Sequence, residues 1–131
     1  MRINDNRTVL PQGTTLHGTS CSYTIIKMLG QGTFGITYLA STSYEESVAV
    51  KEFFMREING RNGSSVTSGN KKGMVDYYRK KFVREAGNLS KLHHPNIISV
   101  REAWAENDTV YYSMEYLDGG SLDNLILSEG A

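Results

Sequence analysis

The segment LGQGTFGITYLA, residues 29–40, has three glycines, Gly30, Gly32 and Gly35, between two apolar stretches. Glycine-rich loops bind phosphates in several unrelated folds, and the residues after the last glycine distinguish them. A dinucleotide-binding loop needs a helix to begin at its third glycine, so that the pyrophosphate meets the helix N-terminus. Here Gly35 is followed by Ile, Thr, Tyr, Leu and Ala, a composition typical of a strand, which argues against that loop.

A second kind of loop, the P-loop, requires a lysine directly after the last glycine to reach the β- and γ-phosphates, and Ile36 stands there instead. The remaining phosphate-binding interpretation is a hairpin whose glycine turn covers a nucleotide as a flap. Its glycines let backbone N–H groups approach phosphate oxygens without a side chain in the way. A flexible hairpin turn that binds nothing is the alternative, so the glycine pattern needs independent support.

Lys51 gives such support because it lies on the inward face of a predicted strand. In VAVKEFF, residues 48–54, Ala49 and Lys51 share one face, while the two valines point the other way. A buried ammonium needs a counter-charge or an anionic ligand. Considered alone, Lys51 could equally be an ordinary strand lysine whose ammonium reaches solvent.

Glu85 is the complementary charge, in the middle of an apolar helical stripe. The sequence of residues 74–94, MVDYYRKKFVREAGNLSKLHH, predicts a helix because apolar residues recur at steps of three and four. The apolar members of the stripe are Tyr78, Phe82, Leu89 and Leu92. A carboxylate there is costly unless it is paired, although the edge of a helix face would also accommodate it. Together, the two charges predict a Lys51–Glu85 ion pair whose lysine also faces phosphate.

The remaining segments predict an α+β domain with five antiparallel strands and one long helix. The strands are expected at residues 23–29, 36–40, 48–54, 97–106 and 109–117. Residues 1–20 are polar and lack periodicity, so we expect a loosely ordered lead-in before a domain at 21–131. Residues 56–73 are rich in Gly, Asn and Ser and indicate a loop or a short exposed ribbon. A short helix is expected to begin at Ser121.

The composition argues against several classes of function. Lys plus Arg and Asp plus Glu both number 14, so the net charge is zero and indicates neither a nucleic-acid partner nor an anionic membrane surface. The single cysteine, Cys21, cannot form an intramolecular disulfide and has no neighbours at metal-ligand spacing. The sequence has no apolar run typical of a signal peptide or a membrane span. We therefore expect a cytoplasmic location.

Taken in order, these motifs resemble the N-terminal lobe of the protein kinases over about residues 23–127, and most of all the bacterial serine/threonine kinases of the eukaryotic-like type. The three glycines match the family's glycine-rich loop, with Phe34 at its tip. VAVK matches the segment whose lysine, Lys51, contacts the α- and β-phosphates in that family. Glu85 matches the glutamate of the family's αC helix, which holds this lysine, and HHPNII matches the loop after that helix.

The segment YYSMEYLDGGSL, residues 111–122, resembles the family's fifth strand and hinge. The resemblance makes Met114 the gatekeeper and pairs the Glu115 carbonyl and the Leu117 amide with the adenine edge, with Ser121 near the ribose. The residues implied to cover the adenine are Leu29, Thr37 and Ala49. Thr37 departs from the valine of most kinases, but its nearly equal shape leaves room for the adenine.

The resemblance implies a parent protein that uses ATP and Mg²⁺ to transfer the γ-phosphoryl group to Ser or Thr hydroxyls of a protein substrate. In that family the catalytic base and the magnesium ligands follow the hinge by many residues, whereas this chain stops at Ala131. We therefore expect a lobe truncated after the hinge, with no metal ligands of its own, inactive alone and prone to self-association. The exposed apolar positions expected to drive self-association are Leu122, Leu125, Ile126 and Leu127. The alternative is a pseudokinase or a nucleotide-gated interaction module.

Overall fold

The computed structural model describes residues 7–55, 59–69, 71–90 and 100–116. The strands are β1 (Thr15–His17), β2 (Ser22–Gln31), β3 (Gly35–Thr42), β4 (Ser47–Phe53), β5 (Gly60–Asn62), β6 (Ser65–Thr67), β7 (Val100–Glu106) and β8 (Thr109–Glu115). Six of them form one antiparallel sheet in the order β1-β2-β3-β4-β8-β7, and β5 and β6 form a separate ribbon. Within the described ranges the chain has one helix, α1 (Lys72–Ser90). No helix in those ranges has the length and apolar character needed to cross a membrane.

Both faces of the sheet are covered. Successive residues of β4 point to opposite sides of the sheet and so contribute to two different clusters. Val48 and Val50 belong to an apolar cluster that includes Trp104. Ala49 belongs to a second cluster, on the other side, that includes Phe82 of α1. An antiparallel sheet with one helix packed on one face confirms the predicted fold class.

The structure differs from the sequence-based expectation in its N-terminal segment, residues 7–17, which is ordered against the sheet. Strand β1 pairs with β2 and adds a sixth strand to the sheet, for which five strands were predicted. Leu10 and Leu16 are buried at 3% and 0% exposure. The buried guanidinium of Arg7 donates to the carbonyls of Phe54 and Gly35 at 2.5 and 3.4 Å. These long-range contacts order a segment whose own composition is polar.

The ribbon β5–β6, within the region expected to be a loop or an exposed ribbon, is held to the sheet by a buried ion pair. Arg61 of β5 donates to Glu52 Oε1 at 2.5 Å, and the two side chains are 3% and 0% exposed. The Tyr38 and Tyr111 hydroxyls donate to the same carboxylate at 3.0 and 2.6 Å. Val66 of β6 is also buried, so the ribbon is not exposed throughout.

Four polar groups therefore satisfy one another on this face of the sheet. Burial alone would lower the pKa of Arg61, but the hydrogen bond and charge of Glu52 more than offset this, and the pKa is raised. Burial, followed by the nearby charge of Glu52, raises the pKa of Tyr38 and Tyr111 above the ordinary value of 10.0. Both phenols stay protonated and able to donate, which stabilises a carboxylate that would otherwise be costly to bury.

We expect Arg61→Met to lower the free energy of unfolding by about 3–5 kcal/mol, because it leaves the Glu52 carboxylate buried without its cation. Urea-induced unfolding measures the change. Arg101→Met is the matched control, since Arg101 pairs with Glu46 at 2.9 Å but the two side chains are 40% and 51% exposed. Its effect should not exceed about 1 kcal/mol. Equal losses in the two variants would contradict the buried-pair account.

The buried phenols also predict loss of stability in base. Their pKa in the folded protein lies above the ordinary 10.0 of an unfolded tyrosine, so the stability they contribute is complete below pH 10.0 and is lost as the pH rises beyond it. Each such group steepens the decline by up to about 1.4 kcal/mol per pH unit. In urea titrations across this pH range, the free energy of unfolding of the Tyr111→Phe variant should decline less steeply with pH than that of the wild type. Tyr44→Phe, at a position 71% exposed, should follow the wild-type curve.

Candidate functional site

Lys51 and Glu85 lie side by side between the sheet and the helix. Lys51, on β4, is 2% exposed, and its ammonium donates to Glu85 Oε1 of α1 at 3.3 Å, while the Glu85 side chain is 38% exposed. The ammonium also lies 5.8 Å from the centre of the Phe82 ring. The structure thus brings together the two charges that the sequence singled out, and their pairing joins the helix to the sheet.

Tyr112 is a third member of this group, and sequence reasoning missed it. It lies directly across from Lys51 in the pairing of β4 with β8. Its hydroxyl donates to Glu85 Oε1 at 2.8 Å. Its ring centre is 5.9 Å from the Lys51 ammonium and 5.0 Å from the centre of the Phe82 ring. The register of the two strands could have identified Tyr112, but the sequence alone does not give that register.

The glycine turn joins β2 to β3 above this group. The Gly32 N–H donates to the Gly35 carbonyl at 2.9 Å, and Gly30 pairs with Thr37 across the hairpin. Phe34, at the tip, stacks on Tyr78 of α1 with ring centres 5.0 Å apart and an interplanar angle of 25°. The tip of the turn therefore contacts the same helix that presents Glu85.

A cavity of about 180 Å³ lies between the turn, β4 and α1. Its lining residues are Phe34, Lys51, Tyr78, Lys81, Phe82 and Glu85. Sites for whole small molecules are usually about 300–1,000 Å³, so this space is smaller than a typical site of that kind. A larger depression of about 780 Å³ lies between β6, the start of α1 and the β7–β8 turn, but it contains none of the predicted site residues.

The residues expected to surround the adenine form a row on the same face of the sheet as Lys51. Ala49, fully buried, pairs with Leu39 and Met114, so the three share that face. Leu29 is partly buried and packs against the same cluster. Thr37, 2% exposed, lies directly opposite Lys51. The sheet thus presents a small apolar surface beside the charged group.

Some predicted residues lie outside the described part of the chain. Glu115 is within the described part, where it is exposed at the end of β8. The predicted residues without a described position or side chain are Leu117, Ser121, Leu122, Leu125, Ile126, Leu127, Leu89 and Leu92. Their roles, the self-association of the lobe and its cytoplasmic location stay predictions.

Comparison with known proteins gives the family. The chain matches the protein kinase domain model over residues 23–131, and it belongs to that family. It is 30% identical over 120 residues to serine/threonine-protein kinase cds1 of Schizosaccharomyces pombe, covering 92% of this chain and 24% of that protein. It is 33% identical over 107 residues to PknD of Chlamydia muridarum, covering 81% of this chain and 10% of PknD. The chain therefore spans a quarter or less of these relatives.

Solved structures agree with this family. The structure of PpkA-294 in its apo form matches with a TM-score of 0.78 and 28% identity, over 89% of this chain and 42% of that one. The PknI kinase domain of Mycobacterium tuberculosis matches with a TM-score of 0.57 and 25% identity, over 86% of this chain and 37% of that one. Both the curated relatives and the solved structures thus include bacterial kinases.

Gly35 is predicted to tolerate no side chain. An added Cβ would lie 2.8 Å from the Glu52 carbonyl, which is backbone and cannot swing aside. Gly35→Ala should lower the free energy of unfolding by about 1–3 kcal/mol, measured in urea. The control is Gly87→Ala in α1, where an added Cβ has nothing within 4 Å and should stabilise the helix by about 0.5–1 kcal/mol. Losses of equal size would contradict the assigned close packing.

Proposed function

We propose that this chain is the ATP-binding lobe of a serine/threonine protein kinase that transfers the γ-phosphoryl group of ATP to protein Ser or Thr hydroxyls. The observation that supports it most is the Lys51 ammonium, 2% exposed and paired with Glu85, beneath a glycine turn. The chain's membership of the protein kinase family and its serine/threonine kinase relatives support the same conclusion.

In this proposal Lys51 binds the α- and β-phosphates, and Glu85 orients its ammonium. The cavity beside Lys51 is smaller than the usual site for a whole small molecule, so it would take part of the phosphate chain rather than the whole nucleotide. Gly30, Gly32 and Gly35 would let the backbone of the turn approach the phosphates without a side chain in the way. Gly35 lies so near the Glu52 carbonyl that an added Cβ would be 2.8 Å from it, so the absence of a side chain allows the turn to lie close to β4. These residues fit a triphosphate ligand.

The apolar row on the same face would hold the adenine. Leu29, Thr37 and Ala49 cover one side of the ring, and Met114 closes the inner end of the pocket, where it is 2% exposed. The hinge backbone, at Glu115 and Leu117, would pair with the edge of the ring. Only weak selectivity among purines is expected from the described apolar row, because an apolar surface distinguishes polar substituents poorly.

ATP supplies the phosphoryl group, and the Mg²⁺ that accompanies it neutralises charge on the phosphates. In the family, the base and the metal ligands come from residues that follow the hinge. The proposal therefore assigns positioning and electrostatic stabilisation to this lobe. That contribution is large for phosphoryl transfer, since the transition state has little covalent chemistry for the protein to perform.

The proposal predicts that Lys51→Met, made in the natural full-length protein, lowers phosphoryl transfer to a protein substrate by about 100-fold or more, because a cation aimed at the phosphates is lost. Incorporation of labelled phosphate measures it. Lys27→Met removes a lysine from the exposed side of β2 and should leave transfer unchanged. Equal transfer by wild type and Lys51→Met would contradict the assignment. ATP binding without transfer in the wild type would support a pseudokinase or a nucleotide-gated module instead.

A further inference from the structure

One oxygen of Glu85 accepts two hydrogen bonds, and they differ in length. The Lys51 ammonium approaches Glu85 Oε1 at 3.3 Å, and the Tyr112 hydroxyl approaches the same atom at 2.8 Å. Charge-assisted N–H···O bonds are usually about 2.7–2.9 Å long, so the lysine contact is a loose one. The tyrosine therefore makes the tighter of these two bonds to the carboxylate.

The surroundings of Tyr112 make this bond a rigid one. Tyr112 is 0% exposed and its ring packs against Phe82 of α1 with ring centres 5.0 Å apart. A tyrosine side chain has few rotatable bonds, so a packed ring fixes the position of its hydroxyl. Glu85, in contrast, is 38% exposed and would be free to turn toward solvent without a buried donor. The buried ring thus limits where the carboxylate, and the helix that presents it, can lie.

We propose that Tyr112 is a positioning residue that holds Glu85, and with it α1, against the sheet independently of Lys51. Its importance for catalysis rests on the proposed kinase function, but its action on the helix does not. Lys51 has two tasks in that function, since its ammonium must face both the carboxylate and the phosphates. When it turns toward phosphate, the Tyr112 hydroxyl keeps Glu85 in place, so the helix does not depend on the lysine contact.

The other described contacts of α1 are consistent with this division of roles. Val75, Phe82 and Ala86 pack in the cluster on this face of the sheet, and Tyr78 stacks on Phe34 at the tip of the turn. These contacts are apolar and permit rotation or sliding of the helix. Arg79 of α1 also donates to the Asp108 carbonyl of the β7–β8 turn, but this hydrogen bond is long, at 3.4 Å. The Glu85 bonds are directional, and they fix the register of the helix against β4 and β8.

Amide hydrogen exchange in α1 tests the proposal without reference to activity. Four forms of the natural full-length protein are compared by mass spectrometry, in the absence of nucleotide. They are the wild type, Lys51→Met, Tyr112→Phe and the double variant. Lys51→Met should leave exchange in residues 75–87 within about threefold of wild type, whereas the double variant should exchange about tenfold faster or more. Equal exchange in Lys51→Met and the double variant would overturn the proposal.

Tyr111→Phe is the matched control, since it removes a buried hydroxyl from the neighbouring residue. The Tyr111 hydroxyl donates to Glu52 at 2.6 Å, on the opposite face of the sheet from α1. Combined with Lys51→Met, the Tyr111→Phe substitution should lower the overall stability of the protein. It should not increase amide exchange in α1 more than in the rest of the protein. If exchange in α1 increased as much with Tyr111→Phe as with Tyr112→Phe, the effect would follow from losing any buried hydroxyl of this strand, and the assignment to Tyr112 would be overturned.

Steady-state kinetics provide the second readout. Tyr112→Phe should lower kcat by about tenfold, with the KM for ATP changed by less than about threefold, because orientation rather than affinity is lost. Tyr111→Phe should leave kcat unchanged. A wild type without transfer activity, but with the exchange pattern described above, would count against the kinase proposal and leave Tyr112's action on the helix established. An unchanged kcat in an active Tyr112→Phe enzyme would refute its positioning role in catalysis.

Discussion

The ion pair between Lys51 and Glu85 is the interaction on which the rest of the site depends. It joins a central strand to the only helix in the described ranges, at 3.3 Å, and it places an ammonium that is 2% exposed beneath the glycine turn. A buried ammonium needs a counter-charge, and the carboxylate supplies it while leaving the cation able to meet an anion. The same carboxylate also accepts the Tyr112 hydroxyl at 2.8 Å, so the pairing places the ammonium while the helix keeps a second bond to the sheet.

Strand β4 organises the two faces of the sheet with two adjacent charges. Lys51 faces α1, and Glu52, its neighbour, faces the ribbon and is 0% exposed. Each charge is paired with a residue from the segment that covers its face, Glu85 in one case and Arg61 in the other. Because adjacent strand residues alternate in direction, this arrangement ties two separate segments to one strand. The ribbon leads directly into α1, so the fastening of one segment limits the position of the other.

The sequence predicted much of this arrangement and missed three parts of it for identifiable reasons. Lys51 and Glu85 were predictable because each interrupts a clear apolar period. Strand β1 was missed because Leu16 is its only apolar residue, and its order comes from pairing with β2. The Glu52–Arg61 pair and the Tyr112 hydroxyl depend on ribbon docking and strand register, which are long-range features. Local sequence patterns identify unusual charged residues but do not show which residues from distant segments contact them.

The central claim is that Lys51 faces the phosphates of a bound nucleotide. Its most direct test is labelling of the natural full-length protein with an acyl-phosphate analogue of ATP, which acylates lysines beside the phosphates, followed by mass-spectrometric mapping. The account predicts dominant modification of Lys51, suppressed by excess ATP. Modification spread over exposed lysines such as Lys27 and Lys81, with Lys51 unmodified and no protection by ATP, would contradict it.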